Sequence, residues 1–150
     1  MTGNSAMSSG HPHLSLSHQF ASISGLTALV AEDDPSNRLI LGAMLTTLGV
    51  EAILVGDGDE AVATWRRRQF DVLLFDISMP KTDGRAALRT ILNACEANGA
   101  KAPPAIAVTA HAMRHQLDEY LAAGFAACVV KPIRIQGIAA AIAKSTGRAG

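Results

Sequence analysis

The chain has 150 residues, 49% of them hydrophobic and 17% charged, which suits one domain with a proper core and is too short for two ordinary ones. Its 13 Lys and Arg balance its 13 Asp and Glu, so it offers no electrostatic footprint for nucleic acid or for an anionic membrane. Cys95 and Cys128 match neither a disulfide framework nor a metal-ligand spacing, no Lys or Arg precedes Arg38, and no apolar run approaches a membrane span; the expectation is a cytoplasmic protein.

Residues 1–24 are rich in Ser, Gly and His and show no sustained periodicity, so they read as a flexible tail. His11, His13 and His18 within it have a spacing that is more often incidental than metal-binding. The folded part is expected over residues 25–150. Residues 26–31 form an apolar strand candidate that ends in Glu32-Asp33-Asp34. Pro35 suits the first turn of a helix, with Asp34 as N-cap. Ile40, Met44 and Leu48 continue at helical spacing until Gly49. Residues 51–55 are a second strand, and Asp57 caps a second helix in which Ala61 and Trp65 share a core-facing side.

The third strand runs through Val72, Leu73, Leu74 and Phe75 into Asp76, then breaks at Met79-Pro80 and a Thr-Asp-Gly turn. A third helix is expected over residues 84–97, a fourth strand over 105–109 and a fourth helix over 113–123, stopped by Gly124. A fifth strand, 125–130, ends at Lys131-Pro132, and a last helix spans 135–144. This alternation of short apolar strands with helices is the pattern of a parallel sheet covered on both faces. Right-handed crossovers gather the carboxyl ends of all its strands on one edge.

At that edge the strands end in Glu32 and Asp33, Asp76, Thr109 and Lys131. Taken singly, each has a plain reading: Asp76 as a turn cap, the acidic triplet as a helix start, Thr109 as a strand end, Lys131-Pro132 as a turn. Taken together they put three carboxylates, a hydroxyl and an amine into one small volume. Two carboxylates about 4 Å apart repel by about 4 kcal/mol at an effective dielectric near 20. Such a cluster raises a pKa, recruits a cation, or does both. Oxygen donors favour a hard cation, Mg²⁺ above all. Asp76 could then attack phosphorus and become an acyl phosphate, with Lys131 as a point charge and Thr109 as a hydrogen-bonding group on the phosphoryl oxygens.

With Glu32-Asp33, Asp76, Met79-Pro80, Asp83-Gly84, Thr109-Ala110 and Lys131-Pro132 in place, the chain closely resembles the receiver domain of two-component response regulators over residues 26–143. Glu-Asp-Asp-Pro-Ser-Asn and Thr-Ala-His-Ala-Met look most like receivers that work with hybrid histidine kinases. The resemblance implies a flavodoxin-like three-layer α/β sandwich with a five-stranded parallel sheet, order 2-1-3-4-5, and five helices. It implies Asp76 as phosphoacceptor from a phosphohistidine on a histidine kinase or histidine phosphotransfer protein. Mg²⁺ would be bound by Asp33, Asp76 and the backbone carbonyl of Ser78, with Glu32 acting through a water. Lys131 would contact the phosphoryl group, and Thr109 would hydrogen-bond it after transfer. A downstream partner would read the face made by the fourth helix, fifth strand and fifth helix.

Two positions bear on the switch. Members of the family often carry Tyr or Phe where Cys128 stands, and Cys128 lacks that bulk; the resemblance then implies signalling through backbone shifts near Thr109 and the fourth helix. His111 sits where the family tunes access to the acyl phosphate, and it reads equally as an exposed helix-start histidine. Two other classes stay open. In a Mg²⁺-dependent aspartate-nucleophile phosphatase a second Asp would be expected at Ser78, which serves poorly as a general acid. A phosphorylation-independent interaction module of the same fold would be expected to lose an acidic residue or the lysine. No turnover of a separate substrate is expected. A stand-alone regulator, a relay intermediate and one domain of a hybrid kinase all fit.

Overall fold

Five apolar runs become five parallel strands in the computed structural model, which describes residues 21–79, 82–111 and 113–148. They are β1 (Thr27–Ala31), β2 (Glu51–Val55), β3 (Val72–Asp76), β4 (Ala105–Thr109) and β5 (Ala127–Val130), in the order β2-β1-β3-β4-β5. Between and after them run α1 (Pro35–Thr47), α2 (Gly58–Trp65), α3 (Gly84–Ala97), α4 (Arg114–Ala122) and α5 (Ile135–Ser145). The expected flavodoxin-like architecture and strand order are therefore observed. A further helical segment, described over residues 21–23, precedes β1.

Alternation along the strands divides the core into two layers. Ala28 and Val30 of β1, Leu74 of β3 and Val108 of β4 face Leu41 and Leu45 of α1 and Ile138 and Ile142 of α5. Leu29, Leu73, Phe75 and Ala107 face the other way, onto Ala61 of α2, Leu88 and Ile91 of α3 and Tyr120 of α4. Every residue of β3 is buried, as the central strand of a doubly covered sheet must be. Most of the expected tail, including His11, His13 and His18, lies outside the described residues. At its end, however, Ile23 is fully buried in the α1–α5 layer, so the core reaches further back than Gly25.

The helix starts follow the sequence closely. Asp34 accepts from the amides of Ser36 and Asn37, Asp57 from Glu60 and Asp83 from Ala86. Gly49, at φ 79°, ends the turn after α1. β1 and α4 lose a residue or two at their ends, and β5 is shortened at its start. β5 begins at Ala127 and not at residue 125, because Phe125 still donates its amide to the Tyr120 carbonyl at the end of α4. Only at Ala126 does the chain reach the sheet, donating to the Ala105 carbonyl at 2.8 Å. Lys131-Pro132 is a cis peptide. Among the described residues no helix is long and apolar enough to cross a membrane.

Gly84 opens α3 directly under the end of β3, where a Cβ would collide with the Asp76 carbonyl oxygen. Gly137 in α5 has nothing within 4 Å of the same position. Gly84→Ala should therefore lower stability by about 1–3 kcal/mol through overpacking. Gly137→Ala should raise it by about 0.5–1 kcal/mol through helix propensity. Urea unfolding of the two variants beside the wild type checks both signs.

Candidate functional site

Register decides what meets at the top of the sheet. Ala31 pairs with Phe75, Asp76 with Val108 and Thr109 with Val130, so the residues at and just past these ends share one rim. The ladder continues beyond the strands: Glu32 donates its amide to the Val55 carbonyl at 3.1 Å, Ile77 to Val108 at 3.0 Å and Lys131 to Thr109 at 2.8 Å. Main-chain bonds thus fix the backbone beneath each functional side chain.

Those side chains surround a cavity of about 230 Å³ lined by Glu32, Asp33, Asp76, Thr109, His111 and Lys131, with Asp34, Asn37, Ser78 and Ala110 completing the wall. Glu32, Asp76 and Thr109 are only 1–3% exposed. Asp33 is exposed at the mouth. Lys131 Nζ lies 2.9 Å from Asp76 Oδ2 and 3.2 Å from Glu32 Oε1. Asp76 Oδ1 accepts the Ser78 amide at 3.0 Å, and Glu32 Oε2 accepts the Asp34 amide at 3.1 Å. The Thr109 hydroxyl is bonded to His111 and faces Tyr120. All the site residues expected from the sequence except Cys128 line this cavity. Cys128 lies two pairs back from the Thr109–Val130 pair at the rim, beside Ala107, against the α3–α4 layer.

Electrostatics follow from burial. Desolvation, joined by the neighbouring Asp76 carboxylate, pushes the Glu32 carboxyl from 4.5 up to about 7, against the pull of the Asp34 amide and the Lys131 charge. Desolvation draws the Lys131 ammonium down, but its bonds to Asp76 and Glu32 outweigh this and leave it raised. Burial pushes the Cys128 thiol up, away from the reactive thiolate form.

Two features fit a divalent cation. Ligand oxygens of Glu32, Asp33 and Asp76 all lie within 4.8 Å of one another. Glu32 Oε1 is buried and makes no well-angled hydrogen bond, despite its ion-pair distance to Lys131. An all-carboxylate set with an underused buried oxygen is what a hard cation such as Mg²⁺ takes. A larger open groove of about 930 Å³, which includes Trp65 and Phe70, lies at the opposite ends of the strands. Its carboxylate, Asp71, is already engaged by the Thr27 amide at 2.8 Å, and nothing there matches the rim chemistry.

Some contributors were not singled out from the sequence. Arg38 donates to the Glu32 carbonyl at 2.9 Å and pins the acidic loop onto α1. Asn37, the last residue of the Glu-Asp-Asp-Pro-Ser-Asn stretch but given no role from it, reaches the cavity wall from the first turn of α1. Tyr120 had no local signal, because a tyrosine in a helix reads as core.

Comparison with known proteins agrees with this geometry. Residues 28–143 match the family described as the response regulator receiver domain. Over 122 residues the chain is 35% identical to the sensor protein GacS of Pseudomonas syringae pv. syringae, covering 81% of this chain and 13% of that protein. The crystal structure of the receiver domain of sensor histidine kinase PA1611 from Pseudomonas aeruginosa PAO1, with magnesium coordinated in its active-site cleft, is 31% identical. It superposes with a TM-score of 0.71, covering 83% of this chain and 99% of that one. The receiver domain of Saccharomyces cerevisiae Ssk1, solved with the phosphotransfer protein Ypd1, is 24% identical over 81% of this chain and 89% of that one; its TM-score of 0.76 marks the same fold. The chain belongs to the response regulator receiver family. It spans only a small part of the length of sensor proteins such as GacS.

The Glu32 shift has a sign. Its carboxyl binds a proton more tightly folded than unfolded, so its contribution to stability is full below pH 4.5 and is lost as pH rises through about 7. Without divalent cations, melting temperature should fall from pH 5 to pH 8, and Glu32→Gln should flatten that slope. Added Mg²⁺ should stabilise the wild type more at pH 8 than at pH 5, because it competes with the proton. Thermal melts across this range, with and without Mg²⁺, test all three.

Proposed function

We propose that this chain is a phosphoryl-accepting receiver in a two-component phosphorelay, with Asp76 as the acceptor. The observation that carries the reading is the state of Asp76. It is a buried carboxylate facing a cavity, with Oδ2 on the Lys131 ammonium, Oδ1 on the Ser78 amide, and two further acidic residues beside it. A carboxylate so held is oriented as a nucleophile.

The donor would be a phosphohistidine on a histidine kinase or histidine phosphotransfer protein, as the likeness to the receiver of sensor histidine kinase PA1611 and the Ssk1–Ypd1 pair suggest. An Asp76 oxygen attacks phosphorus, the phosphorus–nitrogen bond breaks, and the imidazole nitrogen leaves with the electron pair and takes a proton from water. Asp33 and Asp76, with the Ser78 carbonyl, would hold Mg²⁺, and Glu32 would reach it through a water. The ion would neutralise charge on the transferring phosphoryl group. Lys131 would exchange its Asp76 contact for a phosphoryl oxygen, and Thr109 would donate to another. His111, exposed at the mouth, would shape water access to the acyl phosphate. The new charge would bias a two-state equilibrium whose product a partner meets on α4, β5 and α5. Both cysteines are free, which suits action in the cytoplasm.

Ser78 beside Asp76 disfavours the phosphatase reading, since the general acid that turnover needs is not supplied there. The retained Glu32, Asp33, Asp76 and Lys131 disfavour a module that ignores phosphorylation. With Mg²⁺ and acetyl phosphate, intact-mass spectrometry should show one added phosphoryl group on the wild type and none on Asp76→Asn. Lys131→Ala should slow labelling by about 10²-fold, the scale for losing a preorganised charge contact. Equal labelling of Asp76→Asn would remove Asp76 as acceptor.

A further inference from the structure

We propose that Tyr120 of α4 takes the place of the aromatic residue that β5 lacks, and couples the Thr109 hydroxyl to the position of α4. The proposal rests on Asp76 being the phosphoacceptor and concerns how that event leaves the site. Tyr120 is the chain's one tyrosine. Its ring is buried, 4% exposed, in the layer formed with β4 and α3, and its hydroxyl lies 3.4 Å from Thr109 Oγ1. Ala107 and Cys128 are register partners on that same face, two pairs below Thr109 and the next to face the same way. Both are small, so the space beneath the Thr109 hydroxyl falls to a side chain from the covering helix.

The coupling is a matter of valence. A threonine hydroxyl has one proton and two lone pairs. Here Oγ1 accepts the His111 amide at 3.0 Å, with the His111 carbonyl and the Tyr120 hydroxyl each at 3.4 Å. With the Thr109 proton on the His111 carbonyl and its lone pairs taken by the His111 amide and Tyr120, the Tyr120 hydroxyl is already the donor to Oγ1. When Thr109 turns toward a phosphoryl oxygen, Oγ1 moves, and the Tyr120 hydroxyl must move with it or lose its partner. A buried hydroxyl does not stay unpaired cheaply, so the ring follows Thr109 or leaves. α4 is suited to move with it. Its N-cap, Met113, makes no side-chain capping bond, unlike the Asp caps of α1, α2 and α3. Met113 and Leu121, 64% and 50% exposed, stand on the surface such a movement would re-present to a partner.

A single tyrosine makes the test direct. Protein labelled with ¹³Cζ-tyrosine gives one ring resonance, and backbone amides are followed in parallel as Mg²⁺ and beryllofluoride are added. In the wild type the tyrosine resonance should shift, together with amides of Ser78, Lys131 and residues 114–122. Tyr120→Phe keeps the ring and loses only the hydroxyl. It should retain the shifts at Ser78 and Lys131 and lose at least half of those in α4, which a merely space-filling ring would not do. A stationary tyrosine resonance, or α4 shifts as large in Tyr120→Phe as in the wild type, overturns the coupling. No response at Ser78 and Lys131 in the wild type overturns the receiver reading and the coupling with it.

Discussion

The arrangement hinges on one ammonium group. Glu32 and Asp76 are both buried at the end of adjacent strands, and two charges so placed would drive the strands apart or take up a proton. Lys131 stands between them, 2.9 Å from one and 3.2 Å from the other. Its contacts keep Asp76 an oriented acceptor, while the desolvated Glu32 holds its proton to near neutrality. The balance is incomplete by construction: Glu32 Oε1 keeps unused acceptor capacity, and exposed Asp33 adds charge at the mouth. An acidic site with one cation too few is one that gains by taking up a divalent ion and then a phosphoryl group.

Everything beneath the rim serves to hold that group of side chains still. β3 is buried along its whole length, and the Asp76 backbone is clamped from below by Gly84 at the start of α3. Arg38 ties the acidic loop to α1. Lys131 is carried by a main-chain bond to Thr109, so the hydroxyl and the ammonium belong to one rigid ladder. Chemistry that depends on positioning and charge needs this rigidity. The helices above it need not share it, and α4 and α5 both start without a side-chain cap, at Met113 and Arg134.

How much of this was legible in the sequence varies with the range of the interaction. The strands, the caps Asp34, Asp57 and Asp83, and the strand-end residues Glu32, Asp33, Asp76, Thr109 and Lys131 follow from local pattern, because period, turn chemistry and capping act over a few residues. The start of β5 was misplaced by two residues, since Phe125 is apolar enough for a strand while its amide is still claimed by the end of α4. The burial that separates Glu32 from neighbouring Asp33 was also invisible, as it depends on which side of the loop Lys131 approaches.

By itself, then, the sequence determined the alternating α/β plan and the set of reactive groups at the strand ends, because strand ends in a parallel sheet must gather on one edge. Only the tertiary structure decided which of those groups touch. Asp76 and Lys131 meet across 55 positions because β4 lies between β3 and β5 and the register stops each strand at the same height. Tyr120 meets Thr109 because α4 folds back over Ala107 and Cys128, a choice made by packing against a face that no local pattern in α4 records.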